Sequence, residues 1–225
     1  MFSNNNLSGA TKRVYDYLYE EIISNRLTPG TALSELDIAK RLSSSRSPVR
    51  EATMALEGEG LVRRYPGRGC FVAEITTQDV KEIFELRILL EVAALRQSYA
   101  MLDPASLQDL EERLTALDES STPEAYYDTD RRLHEMVIGN CGNVRLMQIL
   151  RTLNGQIEQF RHISARRPQR LKESRVEHLS IVRALIDQDL DAACQRLTEH
   201  IKNVQACTES VCMQMGTTGG FLVSY

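Results

Sequence analysis

The 225-residue sequence has no apolar run that approaches the roughly 18 residues needed for a membrane-spanning helix. Its start is polar and lacks the apolar segment of a secretory signal peptide. The five cysteines are odd in number, scattered and never spaced C-x-x-C, so neither a disulfide framework nor a thiolate zinc site is expected. These absences predict a soluble, cytoplasmic protein without a membrane partner.

The chain also lacks the positive net charge of a histone-like protein, because its formal charge is −4. Its composition is that of an ordinary globular protein of one or two domains. The charge is unevenly distributed, however, since residues 40–68 contain seven basic and three acidic side chains. Such a local positive patch attracts phosphate even when the whole chain is acidic.

The first third of the chain has the sequence signals of short helices followed by a hairpin. We predict helices at 11–25, 35–42 and 47–59, and strands at 61–64 and 70–73. Ser34 and Asp37 have the spacing of a helix cap, and Ser47 with Pro48 predicts the start of the third helix. The two strands flank the glycine-rich turn 66–69. This order of elements is typical of a winged helix-turn-helix domain.

In such a domain the first residues of the third helix face base edges in the major groove. Here that position is taken by Ser45, Arg46, Ser47 and Arg50. Arginine can donate two hydrogen bonds to guanine, and serine can bind phosphates or bases. Arg68, between two glycines at the tip of the hairpin, is placed to enter the neighbouring minor groove.

Four segments resemble the GntR family of bacterial transcription regulators: LSExxIAxxL (33–42), SRSPVREA (45–52), LxxxGLV (56–62) and GRGxFV (67–72). The resemblance implies a homodimer bound to a short inverted repeat in double-stranded DNA. It implies DNA contacts from Glu35, Ser45, Arg46, Ser47, Arg50, Arg68 and Gly69. One departure is Leu36, because some members have an arginine directly after the glutamate.

The rest of the chain predicts a C-terminal all-α antiparallel bundle, which makes the fold mainly α. We predict helices at 77–101, 104–119, 123–140, 143–165, 170–187 and 189–214, joined by short segments. The predicted domains are therefore a DNA-binding domain at 1–75 and a helical sensor and dimerisation domain at 76–225. No role is assigned to the tail 216–225.

Three histidines and one aspartate lie on predicted core-facing stripes of this bundle. Asp130 and His134 are four residues apart and share one face of their helix. His178 and His200 are equally distant from residue 189, which lies in the turn between the last two helices. Residues equally distant from the turn of an antiparallel hairpin lie opposite each other. The sequence therefore predicts that His178 faces His200.

A single core-facing histidine is usually a hydrogen-bonded core residue. Two that face each other, together with an Asp/His pair, favour a shared cation, because burying these groups without a partner costs several kcal/mol. Three nitrogens and one oxygen suit one Zn²⁺ or Ni²⁺ per subunit, with Mn²⁺ or Fe²⁺ as alternatives.

These positions lie in three segments, DxxxH (130–134) followed by Gly142-Asn143, SxxEH (174–178) and EH (199–200). The segments resemble the FCD effector-binding domain of the FadR branch of GntR regulators. The resemblance implies that Asp130, His134, His178 and His200 bind the metal and that a small organic acid binds beside it. It also places Arg87 at the effector. An arginine in this seam either binds an anion or pairs with Glu91, four residues on.

The leading hypothesis is a ligand-responsive transcription regulator and not an enzyme. One alternative is a metal-dependent hydrolase that uses the same Asp/His site, since an open metal position can activate water. Another is a regulator whose metal is purely structural.

Overall fold

The computed structural model describes residues 7–217, so the tail lies outside the described residues from residue 218 onward. Within residues 7–217 the chain forms nine α-helices and one two-stranded sheet, which confirms the mainly α fold. The elements are α1 Gly9–Ile23, α2 Glu35–Arg41, α3 Arg46–Gly58, β1 Val62–Tyr65, β2 Gly69–Val72, α4 Thr77–Ser98, α5 Pro104–Ala116, α6 Pro123–Gly139, α7 Val144–Ser164, α8 Pro168–Ile186 and α9 Leu190–Thr217. No helix in this part of the chain is long and apolar enough to cross a membrane.

Helices α1 to α3 and the β1–β2 hairpin enclose an apolar core. Val14, Leu18 and Ile22 lie on one face of α1, because residues four apart share a helix face, and all three are fully buried. Val49 and Leu56 of α3 are buried in the same cluster. Helix α3 is thereby fixed with its opposite face exposed to solvent.

The third helix begins earlier than the sequence predicts. Ser45, not Ser47, is the N-cap residue, and Arg46 is the first helical residue. Pro48 is tolerated inside the first turn because the N–H groups of that turn have no intrahelical acceptor. Ser47 Oγ instead donates a hydrogen bond to Glu51 Oε1 at 3.2 Å.

The hairpin is tighter than predicted. Each strand lies one residue closer to the turn, and Tyr65 pairs with Gly69 in antiparallel register. The backbone N–H of Arg68 donates to the carbonyl of Tyr65 at 3.0 Å, which closes a four-residue turn. Gly67, the third residue of that turn, has φ +73°, which a glycine adopts without strain.

The described chain divides into two compact units. Residues Lys81–Leu150 and Ser164–Thr208 form the first unit, where α5, α6 and α8 pack against one another. Within the described range, the second unit contains residues 7–80, Arg151–Ile163 and residues 209–217. The domain boundary between residues 75 and 76 stays a prediction. The helices after residue 76 lie within three residues of their predicted bounds, because proline, glycine and aspartate mark their ends locally.

The joint between α8 and α9 is a compact turn that makes the two helices antiparallel. Gln188 has φ +61°, and its N–H donates to the carbonyl of Leu185. The next N–H, of Asp189, donates to the carbonyl of Ala184, which completes a Schellman helix end. The Asp189 carboxylate then accepts from the N–H of Ala192 and caps α9.

Candidate functional site

Three helices bring the four predicted ligands together in the first unit. Helix α6 contributes Asp130 and His134, α8 contributes His178, and α9 contributes His200. One donor atom from each lies within 4.8 Å of all the others. The three imidazoles are buried, with 3%, 2% and 0% of their surface exposed in chain order.

The two histidines of the α8–α9 hairpin face each other as predicted. Nε2 of His178 lies 3.2 Å from Nε2 of His200 and 3.4 Å from Oδ1 of Asp130. Burial lowers the pKa of His178 well below its usual value, so the ring is neutral at pH 7. A neutral imidazole has a lone pair on one nitrogen, which is the form that binds a metal.

Glu177 determines which nitrogen of His200 has the proton. Oε2 of Glu177 lies 2.7 Å from Nδ1 of His200, and a carboxylate can only accept this hydrogen bond. Burial lowers the pKa of His200 to about 4, although the bond to Glu177 acts in the opposite direction. The neutral ring therefore has its proton on Nδ1 and its lone pair on Nε2, the atom that faces His178. For Glu177 itself, burial raises the pKa, but the hydrogen bonds from His200 and Arg170 outweigh it and lower the pKa to about 2.

His134 has the same arrangement with a different glutamate. Its Nδ1 donates to Oε2 of Glu91 on α4 at 2.5 Å, and its Nε2 lies 3.8 Å from Oδ1 of Asp130. A carboxylate on the far nitrogen of a ligand histidine is the usual second partner in metal sites, where it fixes the ring orientation.

The donor set fits a divalent cation in both chemistry and spacing. With metal–donor bonds of about 2.1 Å, neighbouring ligands lie roughly 3.0–3.4 Å apart in octahedral or tetrahedral sites. Two of the donor separations are 3.2 and 3.4 Å, and a third is 3.8 Å. A cation would also accept the lone pairs of His178 and His200. Without a cation, the two Nε2 lone pairs face each other unless one of the rings has its proton on Nε2.

Arg87 lies beside this donor set and pairs with Glu91. Its side chain is fully buried, its Nε donates to Oε1 of Glu91 at 2.5 Å, and one terminal nitrogen lies 3.1 Å from Nε2 of His134. Its other terminal nitrogen, NH1, has no hydrogen-bond partner among residues 7–217. Arg87 is thus paired with Glu91, and its NH1 group is left as a donor that an anion could accept from.

The predicted DNA-contacting residues lie on exposed surface of the second unit. Side chains at the start of α3 and at the tip of the hairpin are exposed, namely Ser45, Arg46, Ser47, Arg50, Arg68 and Gly69. Glu35 differs from these, because its Oε1 accepts a hydrogen bond from NH1 of Arg64 on β1 at 3.2 Å. The other terminal nitrogen of Arg64 donates to Thr53 of α3 at 3.0 Å.

Two family descriptions match the chain. Residues 10–72 match the bacterial regulatory proteins of the gntR family, and residues 82–203 match the FCD domain. The chain is a GntR-family transcription regulator with an FCD domain. Membership of this family implies DNA binding.

Named relatives agree with this assignment. The chain is 24% identical to the HTH-type transcriptional repressor RspR of Escherichia coli K12 over 204 residues, which are 89% of each protein. It resembles a structure from Rhodococcus sp. RHA1 described as a GntR transcriptional regulator, with 26% identity and a TM-score of 0.72 over 90% of this chain and 99% of that one. It also resembles the Zn²⁺-bound FCD domain of TM0439, with 26% identity and a TM-score of 0.54 over 60% of this chain and 95% of that one.

Several residues around the sites of this GntR regulator were not predicted from the sequence. The sequence assigns no role to Glu177 and Arg170 at His200 or to Arg64 beside Glu35. For Glu177 a signal was available, because the hairpin symmetry that pairs His178 with His200 also brings residue 177 close to the same ring. For Arg64 there was none, since it lies 29 residues from Glu35 and on a different type of element.

Proposed function

We propose that this GntR regulator senses a small organic acid at a divalent metal centre in its FCD domain and responds by a change in operator binding. One metal ion per subunit would be bound by Asp130, His134, His178 and His200. Zn²⁺ or Ni²⁺ suits three nitrogens and one oxygen best, and Mn²⁺ or Fe²⁺ also accepts such a set.

The observation that carries this proposal is the convergence of three buried imidazoles on one aspartate. His134 and His200 each donate from Nδ1 to a glutamate, so each presents a lone pair on Nε2 to the centre. Ring nitrogens and a carboxylate oxygen at these separations are better placed to coordinate a cation than to hydrogen-bond to one another. The Zn²⁺-bound FCD domain of TM0439 supports the same reading by analogy.

Arg87 supports an anionic effector. A cation on Nε2 of His134 would take the lone pair that faces Arg87, so a second terminal nitrogen of Arg87 would become available beside NH1. Two guanidinium nitrogens form the fork that binds a carboxylate with two hydrogen bonds. An organic acid could therefore contact the metal with one group and Arg87 with the same or a second group.

On the DNA side, we propose that the winged helix-turn-helix domain inserts the start of α3 into the major groove. Arg46 and Arg50 would contact bases, and Ser45 and Ser47 would contact phosphates or bases. Arg68, with Gly69 beside it, would enter the minor groove. Glu35 would act through Arg64, because a carboxylate accepts hydrogen bonds and cannot donate to a phosphate. A homodimer would read the two halves of an inverted repeat.

The hydrolase alternative needs a general base near the metal. Among the described residues, two of the carboxylates next to the histidines already accept strong hydrogen bonds. Glu91 accepts from Arg87 and His134, and Glu177 accepts from Arg170, Asn203 and His200. This arrangement favours binding over hydrolysis, and a turnover assay on the metal-loaded protein is the direct test.

The proposed metal binding is tested by metal analysis of protein purified without chelator. We expect about one ion per subunit in the parent chain, and strong loss in His178→Ala and in His200→Ala. Combining the two changes should cost little more than either alone, because the ligands act as one unit. Asp130→Asn should be milder, since an amide oxygen can still coordinate. The matched control is His162→Ala on α7, which removes the chain's fourth histidine. A parent without metal, and unchanged melting in all the site variants, would contradict the metal centre.

The proposed response to an organic acid is tested by fluorescence anisotropy with the DNA upstream of the gene that encodes this chain. Citrate, malate and other small carboxylates are added to the metal-loaded parent and to His200→Ala. We expect a carboxylate to change operator affinity only in the parent, while basal DNA binding survives in the variant. A metal-loaded parent whose operator affinity no carboxylate changes would support the purely structural metal.

A further inference from the structure

The carboxylate of Glu177 connects the two helices that bear His178 and His200. Glu177 lies on α8 directly before His178, but its Oε2 accepts from Nδ1 of His200 on α9 at 2.7 Å. Its Oε1 accepts from Nδ2 of Asn203, also on α9, at 2.8 Å. Neighbouring side chains leave a helix about 100° apart, so Glu177 and His178 approach different nitrogens of the same His200 ring.

Arg170 fixes the orientation of this carboxylate. It lies in the first turn of α8, and only 5% of its side chain is exposed. Its NH1 donates to Oε1 of Glu177 at 2.9 Å, and its NH2 donates to Oε2. Each oxygen of Glu177 thus accepts two hydrogen bonds, and a two-point contact with a buried guanidinium permits one orientation.

We propose that Glu177 is a positioning residue of the metal centre, which keeps the proton of His200 on Nδ1 and directs the Nε2 lone pair into the donor set. The inference rests on the proposed metal site and adds a residue that determines its affinity. Glu91 has a similar contact with His134, but it also pairs with Arg87. A change at Glu177 therefore isolates the effect on a ligand histidine from any effect on the anion-binding arginine.

The test measures Zn²⁺ affinity of the full chain by competition with a chromophoric chelator. Glu177→Gln keeps an oxygen that can accept from His200 but loses the charge, and Glu177→Ala loses both. We expect Zn²⁺ binding to weaken by about 10-fold in Glu177→Gln and up to about 100-fold in Glu177→Ala. The matched control is Glu199→Gln, because Glu199 directly precedes His200 and is exposed. Its affinity should equal that of the parent.

A second measurement separates positioning from a merely structural role. Nitrogen-15 NMR of the imidazoles in chelator should show one His200 tautomer, with its proton on Nδ1, in the parent and in Glu177→Gln. Glu177→Ala should show a mixture, because no carboxylate or amide then accepts from Nδ1. If Glu177→Ala does not fold, Glu177→Gln still gives the affinity result.

Two outcomes would overturn the proposal. One is equal Zn²⁺ affinity in Glu177→Gln, Glu177→Ala and Glu199→Gln, with only the melting temperature lowered. The other is a parent in which the His200 proton is not on Nδ1. A parent chain that binds no Zn²⁺ contradicts the proposed function instead, and the tautomer measurement then decides the role of Glu177.

Discussion

Arg87 and Glu91 form a buried ion pair whose energetic role can be isolated by a double-mutant cycle. The two side chains are 0% and 1% exposed, and the Nε–Oε1 distance is 2.5 Å. The chain also contains a matched exposed pair, Arg113 with Asp109, which has the same four-residue spacing and an Nε–Oδ2 distance of 2.7 Å. The side chains of the second pair are 47% and 52% exposed, and its acidic residue precedes the arginine instead of following it.

Removing one partner of the buried pair should be costly. Arg87→Met preserves much of the side-chain volume but leaves the Glu91 carboxylate buried and short of a cation. Breaking a buried pair in this way costs about 3–5 kcal/mol. In a chain of this size each kcal/mol shifts the melting temperature by roughly 2–4 °C, so Arg87→Met should lower it by roughly 6–20 °C. The double variant Arg87→Met/Glu91→Gln contains no unpaired charge and should recover about 2–3 kcal/mol relative to the sum of the single changes.

The assay is thermal unfolding followed by circular dichroism, with chelator present so that metal binding does not contribute. Arg113→Met is measured in parallel and should melt like the parent, because solvent screens an exposed pair. The reasoning fails if Arg87→Met melts like Arg113→Met, or if the effects of Arg87→Met and Glu91→Gln simply add. Arg87→Met should in addition lose any response of operator binding to carboxylates.

Three further predictions concern DNA, pH and assembly. Arg50→Ala should weaken specific operator binding by about 1–3 kcal/mol without loss of folding, whereas Arg68→Ala should weaken binding more evenly across sequences. Fluorescence anisotropy on operator and scrambled DNA distinguishes the two effects. Parent-like operator binding by Arg50→Ala would refute the assignment of α3 as the helix that reads bases. In chelator, stability should fall as pH drops from about 6.5 towards 4, since the unfolded state gains a proton that His200, with its pKa lowered to about 4, does not accept until lower pH. The loss for this residue is at most about 3 kcal/mol, and His200→Gln should flatten the dependence of melting temperature on pH; a parent that is as stable at pH 5 as at pH 7 would contradict this. Sedimentation velocity at micromolar concentration should show a dimer. A monomer both with and without DNA would exclude the proposal that two subunits bind the two halves of an inverted repeat.

Much of the fold could be predicted because its signals are local. Proline at the starts of α5 and α6 and the polar joint 187–189 mark helix ends within a few residues of sequence. The start of α3 was predicted wrongly because Ser45 and Ser47 are both acceptable N-cap residues, and Pro48 suits the first turn in either case. In the structure Ser45 is the N-cap residue, although its side chain makes no capping hydrogen bond.

The residues predicted to contact DNA show where local sequence signals end. Exposed arginines at the start of α3 follow from capping and charge, which a single segment displays. The pairing of Glu35 with Arg64 depends instead on the packing of α2 beside the hairpin. No periodicity in either segment contains that information, so the sequence alone groups Glu35 with the residues predicted to contact DNA.

The proposed metal centre shows the same division between local and long-range signals. Asp130 and His134 are linked by helix periodicity, and His178 and His200 by the symmetry of one hairpin, so all four could be predicted from within two segments. Their hydrogen-bond partners come from other parts of the chain. Glu91, which precedes His134 by 43 residues, accepts from Nδ1 of His134. Glu177 is next to His178 in the sequence but accepts from Nδ1 of His200. Because such partners set ring orientation and proton position, chains with the same four ligands can differ in metal affinity by about 10- to 100-fold. The ligand pattern therefore predicts that a metal binds, and on our proposal the hydrogen-bond partners Glu91, Glu177 and Arg170 set its affinity.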